Sequence, residues 1–218
     1  MVYPKNPTRA AVWYHKAAKS GDAIAEYNLG FDLQIGKGVT QDYVKAAQWF
    51  FKSAKHGYAG AQNSLGAFYA KGTGLPQSYS KAFHWYLKSA KQGYILAQRN
   101  LAYLYTSGHG VKQNYTAAAL WFGKAAVQGD AEAENELGAL YKRGLGVSKD
   151  DSKANYWFLK AAKQGVAAAQ FNLAVQYYYG VGLTANRSKA ITWYKRAAAQ
   201  GFKPAIKSLD DIQKGKDP

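Results

Sequence analysis

Hydrophobic residues recur along this chain with a period of 36 residues, and within each period they are spaced as on two successive α-helices. A tryptophan marks the same point of every period, at Trp13, Trp49, Trp85, Trp121, Trp157 and Trp193. Self-similarity with a period of about 20–50 residues is the signature of repeat proteins, in which each repeat packs mainly against its neighbours. The pattern therefore predicts one array of helical pairs.

The first predicted helix of each repeat has an apolar stripe, formed in the first full repeat by Ala25, Leu29 and Leu33. A turn with two glycines follows, and its first glycine is expected to end the helix in a left-handed conformation. Each second predicted helix starts after a good N-cap residue: Asp42, Ser78, Asn114, Asp150 and Asn186. Its inward stripe is predicted at Ala46, Trp49, Phe50, Ser53 and Ala54. Small residues are expected to let neighbouring helices approach closely, at Gly30, Gly66, Ala102, Gly138 and Ala174.

The predicted organisation is a single array over residues 1–218. An orphan second helix is expected within 6–22, and a C-terminal capping helix within 203–218. Between them lie five full repeats, at 23–58, 59–94, 95–130, 131–166 and 167–202. Because the chain begins halfway through a repeat, we expect a preceding segment that would carry any signal peptide.

The fourth repeat shows the recurring residues most fully: Ala133, Leu137, Gly138, Tyr141, Gly144, Gly146, Val147, Asp150, Lys153, Ala154, Trp157, Lys160, Ala161, Ala162 and Gly165. This pattern, which covers essentially the whole chain, resembles the Sel-1-like repeat, a relative of the tetratricopeptide repeat. The resemblance implies an all-α fold, a right-handed α/α solenoid of helix-turn-helix repeats that recruits protein partners. Bacterial members of the family are often exported or contact a host. A periplasmic or secreted location is therefore expected for this chain.

The charge of the chain suggests a second kind of partner. It has 29 Lys and Arg against 13 Asp and Glu, a formal net charge of +16. Many basic residues recur at fixed repeat positions, which favours a solvated outer face and disfavours nucleic acid as a partner. The stretch from Tyr43 to Gly129 nevertheless contains no Asp or Glu. The alternative function is therefore binding of an anionic polymer, such as nucleic acid, an acidic glycan or a membrane surface.

The candidate partner-binding surface is the face of the first helices that packing leaves variable. In a tetratricopeptide-like stack this face lines the concave groove. The predicted partner-binding residues are Tyr27, Phe31, Asn63, Arg99, Tyr103, Asn135, Lys142, Phe171 and Tyr178. Aromatic and arginine side chains are common interface anchors, although for Phe31 and Phe171 burial between helices is the alternative. The recurring Asn28, Asn100 and Asn172 either bond a neighbouring backbone or present amides to a bound peptide.

No motif in the sequence predicts catalysis, a metal site or a cofactor. The histidines are scattered over different repeat positions, and the glycine turns lack the preceding strand and third glycine of a nucleotide-binding loop. The chain has no cysteine and no run of about 18 apolar residues that could span a membrane. The sequence therefore predicts a non-enzymatic scaffold that binds a segment of a partner protein in its concave groove.

Overall fold

The computed structural model describes Tyr14 and residues 16–218, and this part of the chain consists of α-helices joined by short turns. Residues 16–19 are helical, whereas most of the predicted orphan helix lies outside the described residues. Eleven helices follow: α1 (Ala23–Ile35), α2 (Tyr43–Lys55), α3 (Ala59–Lys71), α4 (Tyr79–Lys91), α5 (Ile95–Ser107), α6 (Tyr115–Val127), α7 (Ala131–Arg143), α8 (Asp151–Lys163), α9 (Ala167–Tyr179), α10 (Arg187–Ala199) and α11 (Lys203–Gln213). The predicted all-α fold of helix-turn-helix repeats is confirmed.

The helices form two compact units, residues 1–113 with α1–α5 and residues 114–218 with α6–α11. We call them unit 1 and unit 2. Odd-numbered helices from α1 to α9 are the first helices of their repeats, and the even-numbered helices are the second helices. Within each unit, a first helix packs against the second helix of its own repeat and the second helix of the repeat before it.

The helix boundaries follow from local chemistry, as predicted. Each second helix of the described repeats begins after a side chain that accepts a hydrogen bond from a backbone N–H of its first turn: Asp42, Ser78, Asn114, Asp150 and Asn186. First helices end at a left-handed glycine, with φ between 67° and 76°: Gly36, Gly72, Gly108, Gly144 and Gly180. Caps of this kind contribute about 1 kcal/mol each to local stability, and they fix where each helix starts and stops.

In the two full repeats of unit 1, the first and second helices meet where a glycine packs against an aromatic ring. A Cβ atom on Gly30 would lie 2.9 Å from the Phe50 ring, and one on Gly66 would lie 2.7 Å from the Tyr86 ring. The predicted close approach of the two helices is therefore confirmed. The inward stripe of the second helix is buried except at Trp49, which is half-buried.

The second glycine of each turn joins one repeat to the one before it. In unit 1, a Cβ atom on Gly110 would lie 2.3 Å from the backbone carbonyl carbon of Tyr79, the first residue of α4. In unit 2, a Cβ atom on Gly146 would lie 2.1 Å from the carbonyl carbon of Tyr115. Both glycines also have positive φ, near 70°. The turn of one repeat thus rests directly on the backbone that starts the preceding second helix.

Candidate partner-binding faces

In unit 1 the variable face of the first helices carries an aromatic pair, Tyr27 and Phe31, one helical turn apart on α1. Their ring centroids are 6.5 Å apart. Tyr27 is half-buried because its ring packs 5.6 Å from Phe50 and 5.0 Å from Tyr58. Phe31 lies at the outer edge of this cluster and remains 42% exposed. Of the two, Phe31 is the residue that offers apolar surface to a partner.

Hydrogen bonds between neighbouring first helices hold this face together. Asn100 on α5 donates its amide to the side-chain oxygen of Asn63 on α3, at 3.1 Å. One repeat earlier, Tyr27 and Ser64 are joined by a side-chain hydrogen bond at the same register. Burial, followed by the nearby Tyr94, raises the pKa of Tyr27 above its ordinary value, and the hydrogen bond with Ser64 opposes this shift.

The predicted anchors Arg99 and Tyr103 lie one turn apart on α5, on the same face. Tyr103 is 37% exposed and Arg99 is half-buried. Both residues also interact within the protein. Part of each of these side chains remains accessible. Phe31 lies on one side of the hydrogen-bonded Asn63, and Arg99 and Tyr103 lie on the other.

In unit 2 the same face is more fully used by the fold. Asn172 donates its amide to Asn135 at 3.2 Å, and Asn135 donates in turn to Glu136 at 3.3 Å. Asn135, which the sequence predicts to contact a partner, is only 6% exposed, so the fold already covers its side chain. Burial, with a smaller contribution from Glu132, raises the pKa of Glu136, although its bond from Asn135 opposes this shift.

The other predicted residues of unit 2 differ in how accessible they are. Phe171 packs 5.7 Å from Tyr194 and 5.5 Å from Phe202, so the alternative of burial between helices describes its environment. Lys142 and Tyr178 are half-buried. The Tyr178 ring lies 5.0 Å from the ring of Tyr179, and its hydroxyl donates to Asp217 at 3.4 Å.

Most of the recurring basic residues of the second helices have a structural partner. On each of these helices a Lys or Arg lies over the ring of a tryptophan three residues earlier, with distances of 4.1–5.0 Å: Lys52 over Trp49, Lys88 over Trp85, Lys124 over Trp121, Lys160 over Trp157 and Arg196 over Trp193. Such cation–π contacts contribute about 0.5–1 kcal/mol at exposed sites. This repeated basic position therefore has a packing role within each repeat.

Sequence reasoning missed the exposed apolar residues of the second helices. Phe51 on α2, Leu120 and Val127 on α6, and Tyr156 on α8 all have large exposed surfaces. The available signal was their occurrence at positions of the second helix that vary between repeats and lie outside the predicted inward stripe. Of these, Leu120 and Val127 line the same groove, and exposed apolar residues that cluster in this way mark interaction sites.

The described residues contain no group of three or more histidine, aspartate or glutamate side chains placed to hold a metal ion. In the same part of the chain, no helix has both the length and the apolar character needed to cross a membrane.

Comparison with solved structures places the fold among bacterial repeat proteins. A protective antigen present in uropathogenic Escherichia coli strains, which displays an SLR fold, has 34% sequence identity and a TM-score of 0.88 over 93% of this chain. This chain spans only 43% of that protein. A Sel1 repeat protein from Oxalobacter formigenes has 32% identity and a TM-score of 0.83, covering 96% of this chain and 88% of its own.

A protein from Klebsiella pneumoniae described as a putative sel1 repeat protein shares the fold at 23% identity, with a TM-score of 0.57 and coverage of 93% of this chain and 99% of its own. A search of curated proteins found no significant match. The Sel1 repeat model matches residues 2–22, 23–58, 59–94, 95–130, 131–166 and 167–202. These six consecutive matches confirm the resemblance seen in the sequence, and the chain belongs to the Sel1 repeat family.

Proposed function

We propose that this protein is a non-catalytic scaffold that binds a segment of a partner protein on the variable face of its first helices. Proteins built of Sel1 repeats generally mediate protein–protein interactions, and the repeat itself is a non-catalytic scaffold fold. Phe31, Tyr103 and Arg99 are the proposed anchors. The single observation that carries the proposal is that Phe31 and Tyr103 keep 42% and 37% of their surface exposed on a face that the fold otherwise rigidifies.

A preformed face favours binding because little conformational entropy is lost when a partner docks. The bond from Asn100 to Asn63 and the packing of Tyr27 fix the spacing between α1, α3 and α5. We assign Asn63 and Asn135 the role of holding neighbouring first helices in register. Direct contact is then left to the exposed aromatic rings and to the polar residues beside them.

In unit 2, Lys142 and Tyr178 are the proposed contact residues, with Phe171 acting as packing support. Two half-buried side chains offer less apolar area than the exposed rings of unit 1. We therefore assign unit 1 the larger share of the binding energy, since buried aromatic anchors dominate most protein interfaces.

The test compares proteins captured from bacterial lysate by the wild type and by a Phe31→Ala/Tyr103→Ala variant. The capture is done at about 0.3 M salt, which screens surface charge. A Tyr43→Ala/Val44→Ala variant is the matched control, because it also removes two exposed apolar side chains but lies on a second helix. We expect a partner that is retained by wild type and control and lost by the test variant. Capture of the same proteins by all three would refute the proposed site.

We further propose that the protein acts outside the cytoplasm. The support is that the compared Sel1 repeat proteins come from bacteria and that one of them is a protective antigen. Fractionation of the native bacterium with an antibody against this chain tests the location. Signal confined to the cytoplasmic fraction would refute it.

A further inference from the structure

A groove of about 520 Å³ opens on the second-helix side of unit 1. The aliphatic residues Ala47, Leu65 and Leu75 line it, together with the rings of Phe51 and Tyr69. Its volume lies within the range of ligand-binding clefts, about 300–1,000 Å³. The Phe51 ring stays 42% exposed at the edge of the groove, so the groove has an accessible apolar lining.

Lys52 and Lys55 line this groove, and Lys81 lies over the ring of Tyr69, which also lines it. Each of the three ammonium groups lies over an aromatic ring. Lys52 lies 4.1 Å above Trp49, Lys55 lies 5.8 Å above Phe51, and Lys81 lies 5.3 Å above Tyr69. Within the described part of the chain, none of the three forms an ion pair with a carboxylate. Each ammonium has three N–H donors, and a ring face does not satisfy all of them.

Few carboxylates surround the groove. Glu26 on α1 is buried, and its carboxylate lies 2.8 Å from Nδ1 of His56 and forms no ion pair with these lysines. Residues 43–129 include both second helices of unit 1, and they contain no Asp or Glu. By contrast, Lys45 at the start of α2 has its ammonium group paired with Asp42 at 3.1 Å. The rim of the groove is therefore complementary to carboxylates, while its lining is complementary to aliphatic side chains.

The equivalent groove of unit 2 shows that these charges are not required by the shape. It has about 490 Å³ and is lined by Leu137 and Tyr141, as the first groove is by Leu65 and Tyr69. Val127 stands at the position of Lys55. Lys153, which corresponds to Lys81, is paired with Asp150 at 3.2 Å. Lys124 lines the second groove at the position of Lys52 and lies over Trp121 in the same way, so Lys55 and Lys81 are the lysines that distinguish the groove of unit 1.

We propose that the groove of unit 1 binds an acidic amphipathic segment of a partner protein. Such a segment supplies aliphatic side chains at helical spacing for the lining and carboxylates for Lys52, Lys55 and Lys81. Nucleic acid fits this surface less well, because base stacking needs open ring faces and the lysines already cover those of Trp49 and Tyr69. This surface differs from the first-helix face of the proposed function, and the two can be tested separately.

The experiment measures fluorescence anisotropy of a labelled peptide of about 16 residues, with Leu on one helical face and Glu on the other. Binding is compared for wild type, Lys52→Glu/Lys55→Glu and the control Lys88→Glu/Lys91→Glu, which makes the same charge change at the equivalent positions of α4. A Tyr103→Ala/Arg99→Glu variant reports on the first-helix face. Circular dichroism checks that each variant is folded.

We expect charge reversal at Lys52 and Lys55 to weaken peptide binding by at least about tenfold, with changes below about twofold for the other two variants. Equal weakening by both charge-reversal variants would overturn the proposal, because the effect would then come from the general field of the protein. Equally tight binding of a peptide with Gln in place of Glu would also overturn it. Displacement of the peptide by single-stranded oligothymidine at lower concentration would instead identify an anionic polymer as the ligand.

Discussion

A buried carboxylate in unit 2 gives a sharp test of how the repeats hold together. Glu134 on α7 is fully buried, with 0% of its surface exposed. Gln164 donates to its Oε2 at 2.7 Å, and the Lys160 ammonium lies 3.0 Å from its Oε1 without hydrogen-bond alignment. Three other repeats place glutamine at both positions, as in the bond from Gln92 to Gln62 at 2.8 Å. The first full repeat instead has Glu26 and His56 there. The perturbation is therefore Lys160→Met, which removes the cation and keeps most of the stem.

The expected cost follows from the geometry of the pair. Two unit charges 3.0 Å apart attract by about 5 kcal/mol at an effective dielectric constant of about 20. The Lys160 side chain is 38% exposed, so water screens part of this attraction. The bond from Gln164 continues to stabilise the carboxylate after the lysine is removed. We expect Lys160→Met to lower the free energy of unfolding by about 2 kcal/mol, below the usual range for breaking a fully buried pair.

A second substitution tests whether the loss comes from the unpaired carboxylate. Glu134→Gln reproduces the glutamine of three other repeats, so we expect it to change stability by about 1 kcal/mol or less. In that background Lys160→Met should cost only the contacts of Lys160 with the rings of Trp157 and Tyr156, about 0.5 kcal/mol. Lys88→Met is the matched control, because Lys88 lies 4.9 Å over Trp85 and its repeat has a glutamine in place of the glutamate.

The assay is urea unfolding at pH 7, monitored by circular dichroism. Free energies of unfolding are compared among variants whose dependence on urea concentration has the same slope as that of the wild type. The double-mutant cycle isolates the coupling between the two side chains, which we expect to be about 1.5 kcal/mol. A loss for Lys160→Met no larger than that for Lys88→Met would refute the reasoning. So would a failure of Glu134→Gln to restore stability.

Two further predictions concern the turn and the core. Gly110→Ala should lower the free energy of unfolding in urea by at least about 3 kcal/mol, because its Cβ atom would overlap the backbone of Tyr79. In Gly93→Ala the added Cβ atom meets no atom within 4 Å, so the loss should be only about 1–2 kcal/mol, from the positive φ. Equal losses in the two variants would contradict the packing explanation. Burial raises the pKa of Tyr86 and raises that of Tyr194 to about 12, from 10.0. The unfolded chain therefore ionises first, and stability should be present below pH 10 and be lost as the pH rises from about 10 to 12. Tyr86→Phe/Tyr194→Phe should flatten this loss and leave stability at pH 7 nearly unchanged, and an unchanged alkaline slope in the double variant would contradict it.

The candidate site could be predicted only in part, because equivalent positions have different environments. Tyr27 and Phe171 stand at the same point of their repeats, and each is packed between two further aromatic rings. Phe31, four residues after Tyr27, has no such cover and is 42% exposed. A helical pattern identifies the face on which a residue lies. The depth of burial on that face depends on side chains far along the sequence, such as Tyr58 beside Tyr27 and Phe202 beside Phe171.

The asparagines of the first helices show the same limit. Their recurrence indicated a polar function, and two uses were open. The structure shows that Asn100 and Asn172 bond the side chains of Asn63 and Asn135 in the preceding repeat. Two residues predicted to contact a partner therefore serve as hydrogen-bond acceptors inside the fold. The hydrogen-bond partner of a polar side chain depends on which residues the neighbouring helix places beside it. The periodicity of the sequence alone does not identify those residues.

The sequence by itself determined the repeat, its two helices and their ends, because caps such as Asp42 and the left-handed Gly36 act through the few residues around them. It also determined the small residues that meet aromatic rings, since their spacing follows from one repeat. Only the tertiary structure decided which side chains of the variable faces remain accessible, and it alone revealed the lysine-rimmed groove beside Phe51. The physical reason is that caps and stripes depend on contacts within a few turns of one chain segment, whereas exposure and charge pairing depend on what the neighbouring repeat places opposite each side chain.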